Sequence, residues 1–183
     1  MEELTFVEFH KIPRLSRECV ITEKIDGTNG VIHITENGKF FVGSRTQWIT
    51  PEKDNFGFAV WCHANKDELM KLGIGTHYGE WWGAGIQRRY GLTEKRFSLF
   101  NIKRWGDDAV RPRCCSIIPT ILTGEFNFAL IDQALGQLKT KGSLASPGFM
   151  KPEGIVIYHV AGNLMFKKTI EKDSEWKGKN TAS

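Results

Sequence analysis

A chain of 183 residues, 40% of them apolar and 25% charged, can form one domain with a true core and has the composition of a globular protein. No apolar run approaches the ~18 residues that a membrane helix needs, and the start Met1-Glu2-Glu3-Leu4 is acidic where a secretory leader is basic. The net charge of +4 permits a nucleic-acid partner without demanding one.

Residues 1–18 mix Phe6, Val7, Phe9 and Ile12 with charges and read as a short strand and a turn at Pro13. Cys19, Val20 and Ile21 then lead into Glu23-Lys24-Ile25-Asp26-Gly27-Thr28-Asn29-Gly30, a strand running into a glycine-hinged loop. Such a loop holds one ammonium at the mouth of a pocket, where a lysine can act as a covalent nucleophile. Taken alone, Lys-x-Asp-Gly is as readily a surface lysine before an ordinary turn.

Val31–Thr35 and Phe40–Arg45 flank Asn37-Gly38 as a β-hairpin, which brings Arg45 to the same end of the sheet as Lys24. The fork of donors on an arginine there suits phosphate or ribose oxygens, or simply water. Thr50-Pro51-Glu52 has the cap chemistry of a helix start, with Asp67–Leu72 continuing the helix and Gly73 ending it. Gly75–Gly83 reads as a strand that sets Glu80 between Tyr78 and Trp81-Trp82, where a buried carboxylate needs a partner. A half-exposed edge glutamate is the plainer alternative.

Ile86–Gly91 is a basic loop, and Phe97–Ile102 alternates like a strand. Asp107–Pro112 is loop, and Pro119 separates two short apolar pieces. Leu130, Ile131, Ala134, Leu135 and Leu138 recur at helical spacing within Phe128–Leu138. Thr140–Pro152, rich in Gly, Ser and Pro, reads as the most mobile loop. Glu153–Tyr158 and Leu164–Lys168 close the domain as a hairpin, and the chain turns polar after Ile170. The expected organisation is one domain over residues 1–170 and a flexible tail over 171–183.

Four cysteines, two of them adjacent (Cys114, Cys115), have neither zinc-ligand spacing nor a disulfide framework, and the five histidines are scattered. A reducing, cytoplasmic setting follows. Six tryptophans and twelve phenylalanines supply a core and suit a pocket for a flat heterocycle.

Lys24, Arg45, Glu80, Phe100, Glu153 and Lys167/Lys168 all fall on or beside strand ends. A nucleophilic lysine, two acids and extra cations suit transfer of a phosphate-bearing group, the acids holding a divalent ion and the cations neutralising phosphate. In order, Lys24-Ile25-Asp26-Gly27, Gly79–Gly83, Phe97–Ile102, Glu153–Ile157 and Phe166-Lys167 resemble the motifs of the covalent nucleotidyltransferases: ATP-dependent DNA and RNA ligases and mRNA capping enzymes. Glu23 before the lysine, and Thr28-Asn29 after Asp-Gly, look most like RNA ligases of the phage type that seals nicked duplex RNA.

The resemblance spans about residues 23–168 and implies an α+β fold of antiparallel β-sheets flanked by helices, the adenylation domain of a ligase. It implies that Lys24 becomes lysyl-AMP, that Glu80 contacts ribose and that Phe100 stacks on adenine. Glu153, with Glu80, would hold Mg²⁺ or Mn²⁺, and Lys167 would touch the α-phosphate of ATP. Arg45 would bind nucleotide or a nucleic-acid end, while Glu23, Ile25 and Asn29 would line the pocket. AMP would pass to a 5′-phosphate and be displaced by a 3′-hydroxyl of RNA ends or a nicked duplex.

Two departures from the pattern stand out. The last motif of the family carries two lysines one residue apart, whereas Lys167 and Lys168 are adjacent and must face opposite ways on a strand. Motif position favours Lys167. Too little chain follows Lys168 for the additional domain of most ligases, so the expectation is a monomer for which a separate clamp protein, a stripped-down ligase reaction and a different AMP acceptor all stay open. A DNA ligase, another nucleotidyltransferase on this scaffold, or a non-catalytic nucleic-acid-binding relative are the alternatives.

Overall fold

The computed structural model describes residues 5–171 and residue 173. The tail expected over 171–183 therefore falls, apart from Glu171 and Asp173, outside the described residues. Two sheets share the work of positioning a cleft. The first has four antiparallel strands in the order β10-β9-β1-β8, comprising β1 (Glu18–Lys24), β8 (Thr120–Glu125), β9 (Gly154–His159) and β10 (Leu164–Thr169). The second has six strands in the order β4-β3-β2-β5-β6-β7. These are β2 (Thr28–Ile34), β3 (Phe40–Gly43), β4 (Trp48–Ile49), β5 (Gly75–Gly83), β6 (Lys95–Leu99) and β7 (Cys115–Ile117). All their pairings are antiparallel except β6 with β7, which run parallel. The α+β fold read from the sequence is the fold observed.

β1 alternates strictly. Cys19 and Ile21 are buried against the helix α4 (Phe128–Lys141), where they meet Ile131, Ala134, Leu135, Ile155 and Ile157. Val20, Thr22 and Lys24 consequently face the other way, into the cleft between the sheets.

The second sheet buries its opposite face under α1 (Phe58–Ala64), followed by the short α2 (Lys66–Leu69), and an aromatic cluster of Phe58, Trp61, Trp81 and Phe97. Gly30 and Gly79 pair directly across β2 and β5. A Cβ on Gly30 would come within 2.5 Å of the Phe58 ring, and one on Gly79 within 2.7 Å of the Phe97 ring. The two glycines let the rings lie flat on the backbone. A third small core joins Ile25, Trp82, Tyr90 and Ile118 beneath the loop from β1 to β2.

Three expectations are corrected. The helix expected from Thr50 begins only at Phe58: Thr50 and Lys53 close a bridged turn, and the Asp54 carboxylate accepts from the N–H groups of Ala59 and Val60. The cap chemistry was there, but a different acid performs it. The strand expected through Ile102 stops at Leu99, because Asn101 caps the short helix α3 (Ile102–Trp105) by accepting from Arg104 N–H. Residues 5–14 form no strand, and Phe6, Val7, Phe9 and Ile12 are exposed. Among the described residues no helix is long and apolar enough to cross a membrane.

Candidate active site

Lys24 ends β1 on the cleft side, and its Nζ lies 2.6 Å from Glu153 Oε2, at the entry to β9. The pair is mostly shielded, with side-chain exposures of 24% and 16%. The β1–β9 register, which sets Lys24 opposite Gly154, brings together two groups 129 residues apart in sequence.

Glu80 reaches the same place from β5. Its Oε1 accepts from Gly27 N–H at 3.0 Å and its Oε2 from Asn29 Nδ2 at 3.3 Å. Gly27 has to be glycine: a Cβ there would lie 2.4 Å from the carbonyl oxygen of Trp81. Burial pushes the Glu80 carboxyl up to about 7; the Lys24 charge and the Gly27 N–H counter this, while Glu153 and Asp26 reinforce it. Glu80 is thus poised to gain or lose a proton near neutrality, beside a cation that rewards its ionised form.

Alternation along β5 and β6, with the pairing of Glu80 to Ser98, puts Asn29, Tyr78, Glu80 and Phe100 on one face of the second sheet. Phe100 N–H donates to the Tyr78 carbonyl at 3.0 Å, extending the ladder one residue past β6. The Phe100 ring is 39% exposed, an open shelf beside the acid rather than a core residue. Arg45 sits on the turn between β3 and β4, exposed and without a hydrogen bond or ion pair among the described residues.

β10 separates the two adjacent lysines. Lys167 pairs with Val156 and so shares the cleft face of the first sheet with Thr22 and Lys24. Lys168 pairs with Ile155 on the α4 face, where its Nζ meets Asp132 Oδ1 at 3.0 Å.

Glu23 does not line the cleft. It points to the far side of β1, almost fully buried, and accepts from Ser143 Oγ at 2.6 Å, Leu144 N–H at 2.8 Å and Ala145 N–H at 2.9 Å. Burial raises its pKa, and these three donors oppose the rise. The segment expected to be the most mobile is tied down here, with Ser146 Oγ also donating to the Tyr90 carbonyl at 2.8 Å. Ile25 is likewise core, packed with Trp82 and Tyr90.

The residues that brace the loop after Lys24 belong to no motif. Asp26 N–H donates to Tyr90 Oη at 2.7 Å, and Arg88 Nε donates to Asp26 Oδ2 at 3.0 Å while its Nη1 donates to the Lys151 carbonyl at 3.1 Å. Gln87, Arg89 and Tyr90 all adopt positive φ, a strained turn held by these contacts. The basic run between Gly85 and Gly91 was the only visible signal, and it did not name its acceptor. Among the described residues no group of three or more His, Cys, Asp or Glu side chains is arranged to hold a metal. Glu80 and Glu153 are the two acids at the amine.

The family model described as RNA ligase matches residues 17–172. Solved structures of Naegleria gruberi RNA ligase share the fold. A mutant form with ATP and Mn matches with a TM-score of 0.62 at 20% identity, over 83% of this chain and 48% of that one. The form with PPi matches with a TM-score of 0.62 at 19% identity, over 91% and 57%. A second mutant with ATP and Mn gives 0.63 at 20%, over 85% and 50%. The chain spans about half the length of these ligase chains. No curated protein matches it in sequence.

Proposed function

Since the chain belongs to the RNA ligase family, we propose that it is an ATP-dependent RNA ligase or the adenylylating part of one, with Lys24 as the residue that carries AMP. The observation behind this is the convergence on one amine: Glu153, at the entry to β9, accepts its hydrogen bond, and Glu80 from β5 interacts with its charge beside the open ring of Phe100.

Attack needs the neutral amine, and Glu153 Oε2 is the base in contact with it. The ammonium passes one proton to Glu153, the neutral Lys24 Nζ attacks the α-phosphorus of ATP, the bond to the bridging oxygen breaks, pyrophosphate leaves, and the second nitrogen proton, freed as the N–P bond forms, goes to solvent. Lys167, on the same face of the sheet, neutralises charge on the α-phosphate. Phe100 offers adenine its face, and Glu80 and Asn29 meet the ribose. AMP then moves to a 5′-phosphate on RNA, freeing the amine, and a 3′-hydroxyl displaces AMP to make the phosphodiester.

Two carboxylates, with no cluster of three such donors among the described residues, suit Mg²⁺ or Mn²⁺, hard cations that take oxygen ligands and readily share phosphate oxygens and water. Glu80 and Glu153 would hold that ion, and its chemistry is to neutralise the triphosphate and make it a better electrophile.

Incubation with α-labelled ATP and Mg²⁺ tests the reading. The parent protein should acquire an acid-labile label and Lys24→Ala none. An unlabelled parent, or a label that survives in Lys24→Ala, overturns it. Nicked duplexes with RNA or DNA on the 3′-hydroxyl side then decide the strand preference.

A further inference from the structure

The cleft face of the second sheet does not end at Phe100. Register places Val31 opposite Tyr78 and Gly43, and His33 opposite Thr76 and Phe41, on the same face as Asn29 and Glu80. Trp48 pairs with Gly43. Its indole lies over that glycine, since a Cβ there would stand 3.1 Å from the ring. The result is a cluster of three rings, with centroids 5.7 Å apart for Phe41–Trp48, 6.2 Å for His33–Trp48 and 6.3 Å for His33–Phe41.

These rings are not core. Trp48 is 57% exposed, Phe41 41% and Tyr78 56%. His33 is fixed by a 2.8 Å contact with Thr76 Oγ1. His33 lies four residues along β2 from Asn29, about 13 Å at the rise of a strand, and Tyr78 and Val31 lie between Phe100 and the cluster on the same face. A shallow depression beside it is bordered by His33, Phe41, Lys39, Glu36 and Ile74. Arg45, on the turn that carries the chain from β3 to Trp48, has no partner among the described residues, and Lys39 and Lys53 are exposed nearby in sequence.

We propose that Phe41, Trp48 and His33 form a stacking platform for unpaired bases of the RNA strand, running outward from the adenylylation site, with Arg45 taking a backbone phosphate. The inference rests on the ligase reading and adds to it a place where the strand lies. Two observations favour RNA over a protein partner. The surface is continuous with the face that holds Glu80 and Phe100, and the cations beside it complement a polyanion. Exposed aromatics next to basic side chains are the means by which single strands are held without sequence preference. An apolar protein-docking face would not need unpaired arginine and lysine at its border.

The test uses the whole chain and a fluorescein-labelled, 5′-phosphorylated single-stranded RNA, with binding read by anisotropy at low salt. Trp48→Ala and Phe41→Ala should each weaken binding roughly 5- to 100-fold, the range seen for lost base–aromatic stacking. Trp48→Phe should retain most of the affinity, and RNA should quench the parent's tryptophan emission more than that of Trp48→Phe. Labelling of Lys24 by ATP should be unchanged in all three.

Equal RNA affinity in Trp48→Ala and parent overturns the platform. So does a change in sedimentation from dimer to monomer with no change in RNA affinity, which would mean that a second copy covers the rings. If Trp48→Ala fails to fold, Phe41→Ala and the quenching measurement decide. A parent that binds RNA through Trp48 but is not labelled by ATP sinks the ligase reading and leaves the platform standing.

Discussion

Replacing Glu80 by glutamine should stabilise the protein while disabling it. The carboxyl is pushed from 4.5 to about 7, chiefly by burial. Its folded-state pKa lies above the unfolded value, so the folded state holds the proton more tightly. The group's contribution to stability is then full below pH 4.5 and declines as pH rises to about 7. Over that interval the loss amounts to about 3 kcal/mol. Glutamine keeps an oxygen for Gly27 N–H but never ionises. Glu80→Gln should therefore exceed the parent by less than about 1 kcal/mol at pH 5 and by about 3 kcal/mol at pH 8. Urea unfolding followed by tryptophan fluorescence at pH 5, 6, 7 and 8 measures the gap directly. A gap of constant size across the range would falsify the claim that Glu80 pays for its burial in the ionised form. Parallel labelling with ATP should show the same variant inactive, because the charge proposed to meet ribose or metal is gone.

Lys167→Ala should abolish labelling by ATP, whereas Lys168→Ala should retain it and shift stability by no more than about 0.5 kcal/mol, since its pair with Asp132 is largely exposed. The reverse pattern in a gel assay would mean that β10 is read in the wrong register. Ser143→Ala removes a donor to the buried Glu23 carboxylate and should cost about 1–3 kcal/mol in thermal unfolding. Limited proteolysis should then cut between residues 142 and 152, and an unchanged digestion pattern would count against the tie. Gly30→Ala forces a methyl against the Phe58 ring and should destabilise by about 1–3 kcal/mol. A neutral result in the same urea assay would mean that the aromatic layer yields easily.

Much of the candidate site could be read in the sequence because its polar side chains are tied to strand ends. Lys24, Glu80 and Glu153 sit where alternation and turn signals put them, and the Asn37-Gly38 hairpin forms as its turn residues dictate. Alternation also separated Lys167 from Lys168, though only the register of β9 with β10 shows which one faces the cleft. Glu23 was misplaced because neighbouring strand residues face opposite sides, so its adjacency to Lys24 argued against a shared pocket. Composition misjudged the segment 140–152: Gly, Ser and Pro suggest freedom, but two of its serines donate to buried acceptors from distant elements. Arg88 and Tyr90 act on Asp26 across more than sixty residues of chain, a separation over which no local pattern carries information.

β1 lies in the middle of its sheet, bonded on one side to β9 and on the other to β8, where the register shifts between Ile21 and Thr22. A slip by a single position would swap Glu23 and Lys24, driving the ammonium into the greasy layer beneath α4 and aiming the carboxylate into the cleft. Which side chain the cleft receives is thus a matter of phase: two ladders clamp one strand so that the lysine, and not the acid beside it, looks into the cleft.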